Sequence, residues 1–500
     1  MTDSFAVRAL RRTPVVAAAL LVVALAGCAD MAGIGGQAKL RDAGSLGIAS
    51  ADKAAAPALD SQWWLAFGDA QLNGLVDQAV AGNPNLQVAQ ARLARAQANA
   101  DVAGAALKPK VGLDLDATRQ KFNTNYIYPE PLGGSIQNVG LLQLGASWEL
   151  DFFGKNRTAL DAAIGAANAA AADADAARVL LASNVARSYF QWARLNEQLA
   201  VAQRTLAQRD ETLKLVRDRV SAGLDTRLEL RQSEGGLPEA RQQIEALNEQ
   251  VAIAKHALDA LVGQPGASDA LKPPLIDGVK PIVLQPNIPA DLLGRRADIA
   301  AARWRVEAAT SDVANAKTLF YPNVNLTAFV GFQSLGFGKL LKSGSEQWGV
   351  GPAIHLPIFE GGQLRANLRG KSADLDAAVE SYNATVIDAV RDAADQVTSI
   401  QSIGRQQAEQ RAAQTAAEGA YDIAVQRYRA GLGNYLNVLT AETSVLAQRR
   451  LAVDLAARAL DTQVALARAL GGGWQPPSNT ASAASGATTT ASATPSAAAH

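Results

Sequence analysis

The sequence predicts a mainly α-helical, internally duplicated chain that also supplies strands to a membrane β-barrel. Apolar residues spaced by four and three recur over long stretches, four short stretches alternate apolar with polar residues, and both features occur twice in the same order. The 500 residues carry 47 basic and 47 acidic side chains, one cysteine and three histidines, and are 48% apolar but only 5% aromatic. Balanced charge without a basic patch excludes a nucleic-acid binder, whose affinity rests on neutralising phosphates. The apolar share is mostly alanine, which suits closely packed long helices better than one aromatic-rich core.

The N-terminus has the parts of a secretory signal: Arg8, Arg11 and Arg12, an apolar run from Val15 to Ala26, and small residues before Cys28. Leu25, Ala26, Gly27 and Cys28 resemble the bacterial lipobox, which makes Cys28 the first mature residue and the site of a covalent lipid. Residues 1–27 are then the signal peptide and 28–55 a lipid-anchored tether. Ala29 stands where an aspartate would resemble an inner-membrane retention signal, so the expected location is the outer membrane of a Gram-negative bacterium. With Cys28 acylated, no thiol remains for disulfide or cysteine chemistry. No later segment is apolar enough for a membrane helix; Ala159–Ala182 is interrupted by Asp161, Asn168, Asp173 and Asp175. A membrane crossing must therefore use strands.

Asn85–Leu113 aligns without gaps on Asp298–Leu326, with Arg92/Arg305, Pro109/Pro322, Val111/Val324 and Leu113/Leu326 among the identical pairs. Further on, Arg219, Ala222, Gly223, Leu224 and Leu228 fall on Arg427, Ala430, Gly431, Leu432 and Leu436. The halves are expected at 56–270 and 271–474, joined in the proline-rich Gly263–Pro289, and the Ala/Ser/Thr-rich 475–500 is an expected disordered tail.

Each half reads as a helix, a strand hairpin and two long helices. In the first, Val111, Leu113, Leu115 and Ala117 alternate with polar neighbours, as do Leu142, Leu144, Ala146, Trp148 and Leu150, giving a hairpin at about 110–151. In the second, Val324, Leu326, Ala328 and Val330 form one face, and Trp348, Val350, Ile354, Leu356 and Ile358 another, at about 322–358. The helices are expected at about 155–262 and 362–470. Leu181, Val185, Ser188, Trp192, Leu195, Leu199, Ala202, Leu206, Arg209, Leu213, Val216 and Val220 form a coiled-coil seam with two polar interruptions. A helix from about Lys155 to Ala222 would be on the order of 100 Å long.

Four strands cannot close a barrel, and in lipid every strand edge must be paired. Three copies would supply twelve strands around a lumen lined by the polar alternates Asp114, Asp116, Asn325 and Thr327. Two copies would give eight, whose interior fills with side chains. Phe152, Phe153, Phe320, Tyr321 and Phe359 are the expected interfacial aromatic girdle.

Several runs make a specific resemblance: Trp63, Trp64, Phe67, Gly68 and Asp69; Asn83–Leu86; Trp148–Lys155; Arg295–Ile299; Tyr321–Val324; and Arg427–Leu432. Over about residues 55–474 the chain resembles the TolC-like outer-membrane efflux proteins, in their lipoprotein branch. The resemblance implies a homotrimer, with a twelve-stranded barrel continued by a periplasmic tunnel of twelve helices. It also implies two partners, a periplasmic adaptor and an inner-membrane transporter that supplies the energy. The duct itself would be no enzyme and need no cofactor beyond the lipid on Cys28. Relatives narrow the periplasmic end with a tyrosine, a leucine ring and acidic rings, which assigns gate roles to Tyr428 and Leu436 and a weaker one to Thr440. Asn437 and Thr440 occupy positions that can carry acids, Thr443 replaces a basic partner, and Glu442 is the nearest carboxylate. Ala297 replaces a proline usual before Asp298, which loosens a helix start.

Other chemistry is missing from the pattern. His256, His355 and His500 are isolated, with no metal-ligand spacing. Asp114 and Asp116 share a strand face as lumen lining rather than as a hydrolytic pair, and the glycine run Gly331–Gly336 is followed by Phe337 where a phosphate loop needs lysine. The competing reading is a lipid-anchored periplasmic adaptor, which has one helical hairpin rather than two. Drugs, metal ions, siderophores and secreted small molecules all remain open as cargo.

Overall fold

A computed structural model describes residues 31–41, 59–276, 279–280 and 294–476. The signal peptide, Cys28 and residues 477–500 of the tail lie outside the described residues. After a short 3-10 turn at Trp63–Phe67 come helices α1 (Ala70–Gly82) and α2 (Pro84–Ala105), then strands β1 (Lys110–Lys121) and β2 (Ile136–Leu150). Next are α3 (Lys155–Ser221) and α4 (Arg227–Val262). The order then repeats as α5 (Ala297–Thr318), β3 (Asn323–Leu335), β4 (Glu346–His355), α6 (Gln363–Arg429) and α7 (Tyr435–Ala469). The duplication survives in the element lengths: α2 and α5 have 22 residues each, α3 and α6 have 67 each, and α4 and α7 have 36 and 35. None of the described helices is long and apolar enough to cross a membrane.

The described residues fall into two compact units that do not follow the repeat, since each gathers segments of both halves. The first holds 31–41, 87–174 and 300–387 and contains the sheet. Its strands form one antiparallel sheet in the order β1-β2-β3-β4, so β1 and β4 are each paired on one side only. The register sorts the side chains by chemistry. Leu113, Leu144, Val330 and Trp348 lie in one row across the four strands, and Val111, Ala146, Ala328 and Val350 in the next on the same face. Leu113 is 68% exposed and Trp348 77%, so these two rows of the apolar face stay largely uncovered by the described residues. β4 ends at His355, which leaves Leu356 and Ile358 beyond the strand expected to hold them. The aromatic set also divides. Phe320 is buried with Val313, Ala316 and Leu368 and belongs to a core rather than a girdle, whereas Phe153 stacks on Tyr321 at 5.0 Å and Phe152 and Phe359 are exposed.

Residues 31–41 are fastened to α6 in the same unit. The backbone N–H groups of Gln37 and Ala38 donate to Asp376 Oδ1 at 2.7 and 2.8 Å. Asn383 brackets the strap further along, accepting from the Arg41 N–H at 2.9 Å and donating to the Lys39 carbonyl at 3.0 Å. Met31 and Ile34 pack on the Phe320–Leu368 cluster.

The second unit holds 59–86, 175–276, 279–280, 294–299 and 388–476. Its core gathers Trp63, Trp64 and Phe67 onto Tyr189, Phe190 and the seam residue Trp192 of α3. Asp69 caps α1 by accepting from the Gln71 and Leu72 N–H groups, and its other oxygen accepts from the Tyr189 hydroxyl at 2.7 Å, which orients the cap against the core. At the start of α5, Arg296 pairs with Asp298 at 2.7 Å and donates to the Ala469 carbonyl at 2.9 Å. That link ties α5 to the end of α7 despite the missing proline.

Glycines set the sheet's tolerance. A β-carbon on Gly331 would lie 2.2 Å from the Leu142 carbonyl oxygen, whereas one on Gly351 would meet nothing within 4 Å. Gly331→Ala is expected to destabilise the assembled sheet by about 1–3 kcal/mol, the range typical of overpacking, and Gly351→Ala to leave it unchanged. The check is the temperature at which the folded, fast-migrating gel band converts to the unfolded one.

Candidate functional site

Two surfaces are candidates: the polar face of the sheet and the paired turns where the long helices reverse. On the sheet, Asp114, Gln143, Gly331 and Gln347 form one row. The missing side chain at Gly331 leaves room for the Gln347 amide to donate to Gln143 Oε1 at 3.2 Å. The next row is Gly112, Gly145, Phe329 and Gly349, in which the Phe329 ring covers Gly349; a β-carbon there would be 2.6 Å from ring atom Cε1. Thr327 donates to the Gly351 carbonyl at 3.2 Å, and Asn325 stands opposite Glu149 and Ala353. Lys155 pairs with Glu149 at 3.0 Å. Asp114, Asp116, Asn325 and Thr327 thus share one face, with His355 at its margin opposite Asn323.

The two helix turns are built alike. Gly223 (φ 69°) and Gly431 (φ 80°) follow α3 and α6 in the left-handed region that glycine adopts without strain. The next residue closes each turn, Leu224 N–H to the Arg219 carbonyl at 2.9 Å and Leu432 N–H to the Arg427 carbonyl at 2.8 Å. Thr226 with Glu229 forms a capping box on α4, and Asn434 caps α7.

Two differences between them matter: Asp225 in the first turn has Gly433 as its counterpart in the second, and Tyr428 in the second has Val220 in the first. Arg219 holds Asp225 in two hydrogen bonds of 2.9 and 3.3 Å, with side chains only 12% and 10% exposed. The same guanidinium lies 4.6 Å from the centre of the Tyr428 ring and donates to the Tyr428 carbonyl at 3.0 Å. The Tyr428 hydroxyl donates to Asp225. Residues more than 200 positions apart therefore join the two turns through one carboxylate. The Arg219 hydrogen bond, assisted by the one from Tyr428, holds the Asp225 carboxyl below its ordinary range; burial, then the bond to Asp225, pushes the Tyr428 hydroxyl far above its own.

Deeper along these helices, Arg209 turns a polar interruption of the seam into a buried ion pair with Glu442 at 2.5 Å. It also donates to the Gly236 carbonyl at 2.8 Å and to Glu239 at 3.0 Å, beside Pro238 within α4.

A model of the family described as outer membrane efflux protein matches residues 75–264 and 288–472. The chain belongs to the outer membrane efflux protein family. It is 40% identical over 372 residues to the fusaric acid resistance protein FusA of Burkholderia cepacia, covering 71% of this chain and 69% of the relative. It is 31% identical over 481 residues to the multidrug resistance outer membrane protein MdtQ of Escherichia coli O157:H7, covering 92% and 98%. Among solved structures, the outer membrane protein VceC of Vibrio cholerae is similar with a TM-score of 0.79 at 37% identity, covering 83% of this chain and 100% of that one. The outer-membrane channel OprN is similar with a TM-score of 0.77 at 29% identity, covering 89% and 98%.

This efflux channel is a transport conduit of the outer membrane and not an enzyme, and channels of its family act as trimers with pump partners. Its relatives are outer-membrane channels, so the periplasmic-adaptor reading is set aside. The gate candidates do not converge within one chain. Tyr428 is buried in the Arg219–Asp225 tie, whereas Leu436 and Thr440 are exposed one turn apart on α7, with the Thr440 hydroxyl donating to the Leu436 carbonyl at 2.9 Å. Glu442 is buried against Arg209 and presents no free carboxylate. The residues missed by sequence reasoning are Asp225, whose signal was the Asp/Gly difference at one aligned position of the two turns, and Gln143, Gln347 and Phe329 on the polar sheet face. Among the described residues no group of His, Cys, Asp and Glu is placed to hold a metal ion.

If the Asp225 tie restrains the turns, Tyr428→Phe should raise single-channel conductance in planar bilayers modestly, and Asp225→Ala, which frees both Tyr428 and Arg219, more strongly. The pH dependence has a definite sign. A carboxyl depressed on folding contributes above its unfolded value, about 4, and loses that contribution as pH falls through the lower folded value. Wild-type conductance should therefore rise only below about pH 4, and Asp225→Asn should remove that step.

Proposed function

We propose that three copies of this efflux channel close their four-stranded sheets into one twelve-stranded barrel, continued by the long helices as a periplasmic tunnel. The carrying observation is the sheet: an exposed apolar face, a polar face bearing Asp114, Asp116, Gln143, Gln347 and Thr327, and two unpaired edges. Apolar outward and polar inward is the arrangement that lipid and a water-filled bore require. Cargo enters from a periplasmic adaptor and an inner-membrane transporter that supplies the energy. The relatives' names, fusaric acid resistance and multidrug resistance, support small organic compounds as cargo.

The paired turns form the periplasmic gate. Opening requires Asp225 to release Tyr428 or Arg219, so that α6 and α7 can shift against α3 and α4. Leu436 and Thr440, left exposed by their own chain, are available to line the constriction between copies.

Cys28 carries the covalent lipid. The clamp of residues 31–41 on Asp376 and Asn383 supports this, because the three residue steps from Cys28 to Met31 span at most about 11 Å. An anchor so placed stays near the Phe320–Leu368 cluster on which Met31 packs.

Purified protein in planar bilayers is expected to give discrete conductance steps; a protein that inserts but never conducts, even as Asp225→Ala, contradicts the duct. Cells fed a labelled palmitate analogue should label the wild type and leave Cys28→Ser unlabelled, and equal labelling removes the anchor.

A further inference from the structure

We propose that the loop joining β3 to β4, residues 336–345, docks the phosphorylated glycolipid of the outer leaflet, the multiply acylated glucosamine lipid of such membranes. The inference rests on the sheet lying in the outer membrane and extends that reading to a site on its surface. The loop leaves the sheet at the end away from the strand-to-helix connections, and a 3-10 turn, Phe337–Lys339, opens it. Hydrogen bonds order it. The Gly336 N–H donates to the Asn138 carbonyl at 2.6 Å, bonds three residues apart run from Lys339 to Gly336, Leu340 to Phe337 and Lys342 to Lys339, and the Ser345 hydroxyl returns to the Lys339 carbonyl at 2.9 Å.

The fold-back has a direction. Gly140 is two residues from Leu142 on the apolar face, and a β-carbon on it would lie 3.3 Å from Leu340 Cδ1 and 3.4 Å from Phe337 Cδ1. The loop is thus seated on the apolar face, over strands β2 and β3 and away from the unpaired edges of β1 and β4 that neighbouring copies would cover. Phe337 stays 47% exposed and Leu341 71%, which extends the apolar surface past the strand ends. The Lys342 N–H bond to the Lys339 carbonyl at 3.0 Å closes a tight turn that keeps the two lysines close together. Both are exposed, and among the described residues neither forms an ion pair, Glu346 at the start of β4 included.

Two unpaired ammonium groups at the outer margin of an apolar belt, beside two exposed apolar side chains, complement a lipid with phosphates on its headgroup and acyl chains below. The lysines would meet the phosphates, while Phe337 and Leu341 would lie against the upper acyl chains. A free anion offers nothing to the apolar pair.

The test measures binding of bisphosphorylated lipid A to the intact channel in nanodiscs by native mass spectrometry, with phosphatidylglycerol and inorganic phosphate as separate arms. Lys339→Gln with Lys342→Gln should weaken lipid A binding roughly 30-fold, as the loss of about 1 kcal/mol per lysine at a lipid surface implies. The doubly Arg-substituted protein should keep the affinity, and Phe337→Ser with Leu341→Ser should also lower it. Single-channel conductance is measured on every variant and should stay at the wild-type value, so the duct reading stands or falls separately. Wild-type lipid A affinity in the conducting Gln variant would overturn the site, as would equal affinity for phosphatidylglycerol or binding of inorganic phosphate alone.

Discussion

The outer edges of β1 and β4 carry backbone N–H and C=O groups that find no partner within their own chain, and a hydrocarbon environment does not tolerate them unpaired. This constraint orders the rest of the molecule. A sheet of four strands can neither roll up on itself nor stand open in lipid, so its division into an apolar face and a polar face becomes useful only when copies complete it. The glycines of the polar face serve the same end. Gly331 gives Gln143 and Gln347 room to bond across it, and Gly349 gives the Phe329 ring room to lie flat along the face.

At the helix turns the duplicated halves have diverged at the position that matters most. Both turns keep the arginine, the glycine with positive φ and the leucine that closes the reversal. Asp225 has Gly433 as its counterpart, and this breaks the equivalence: one turn supplies a carboxylate and the other receives its restraint through Tyr428. A symmetric pair of turns would either repel, with two carboxylates, or lack any tie. The Arg209–Glu442 pair links α3 to α7 as well, against a stretch of α4 where Pro238 removes a helical N–H.

Much of the architecture was legible because it follows local periodicity. The helix expected from about Lys155 to Ala222 ends at Ser221, and the alternation at Val111–Ala117 and Leu142–Leu150 lies within β1 and β2. Periodicity runs out where an element stops. Leu356 and Ile358 continue the alternation of β4 past its end, and Phe320 reads like its exposed neighbour Tyr321 until the packing of α5 on α6 buries it. The tie between the helix turns was only partly legible for another reason. Tyr428 and Asp225 are 203 positions apart, and no spacing rule joins a tyrosine on one helix to a carboxylate in a distant turn. The strap at residues 31–41 has no periodicity at all, and its fastening to Asp376 and Asn383 is made almost wholly by backbone groups that carry no residue-specific signal.

Edge pairing between copies is therefore the claim on which the conduit depends, and the number of chains in the assembled particle tests it most directly. Native mass spectrometry of the protein extracted from outer membranes should give three times the subunit mass, with no monomer until the sheet unfolds. A folded single chain, with its sheet intact and no tendency to associate in lipid, would contradict the account.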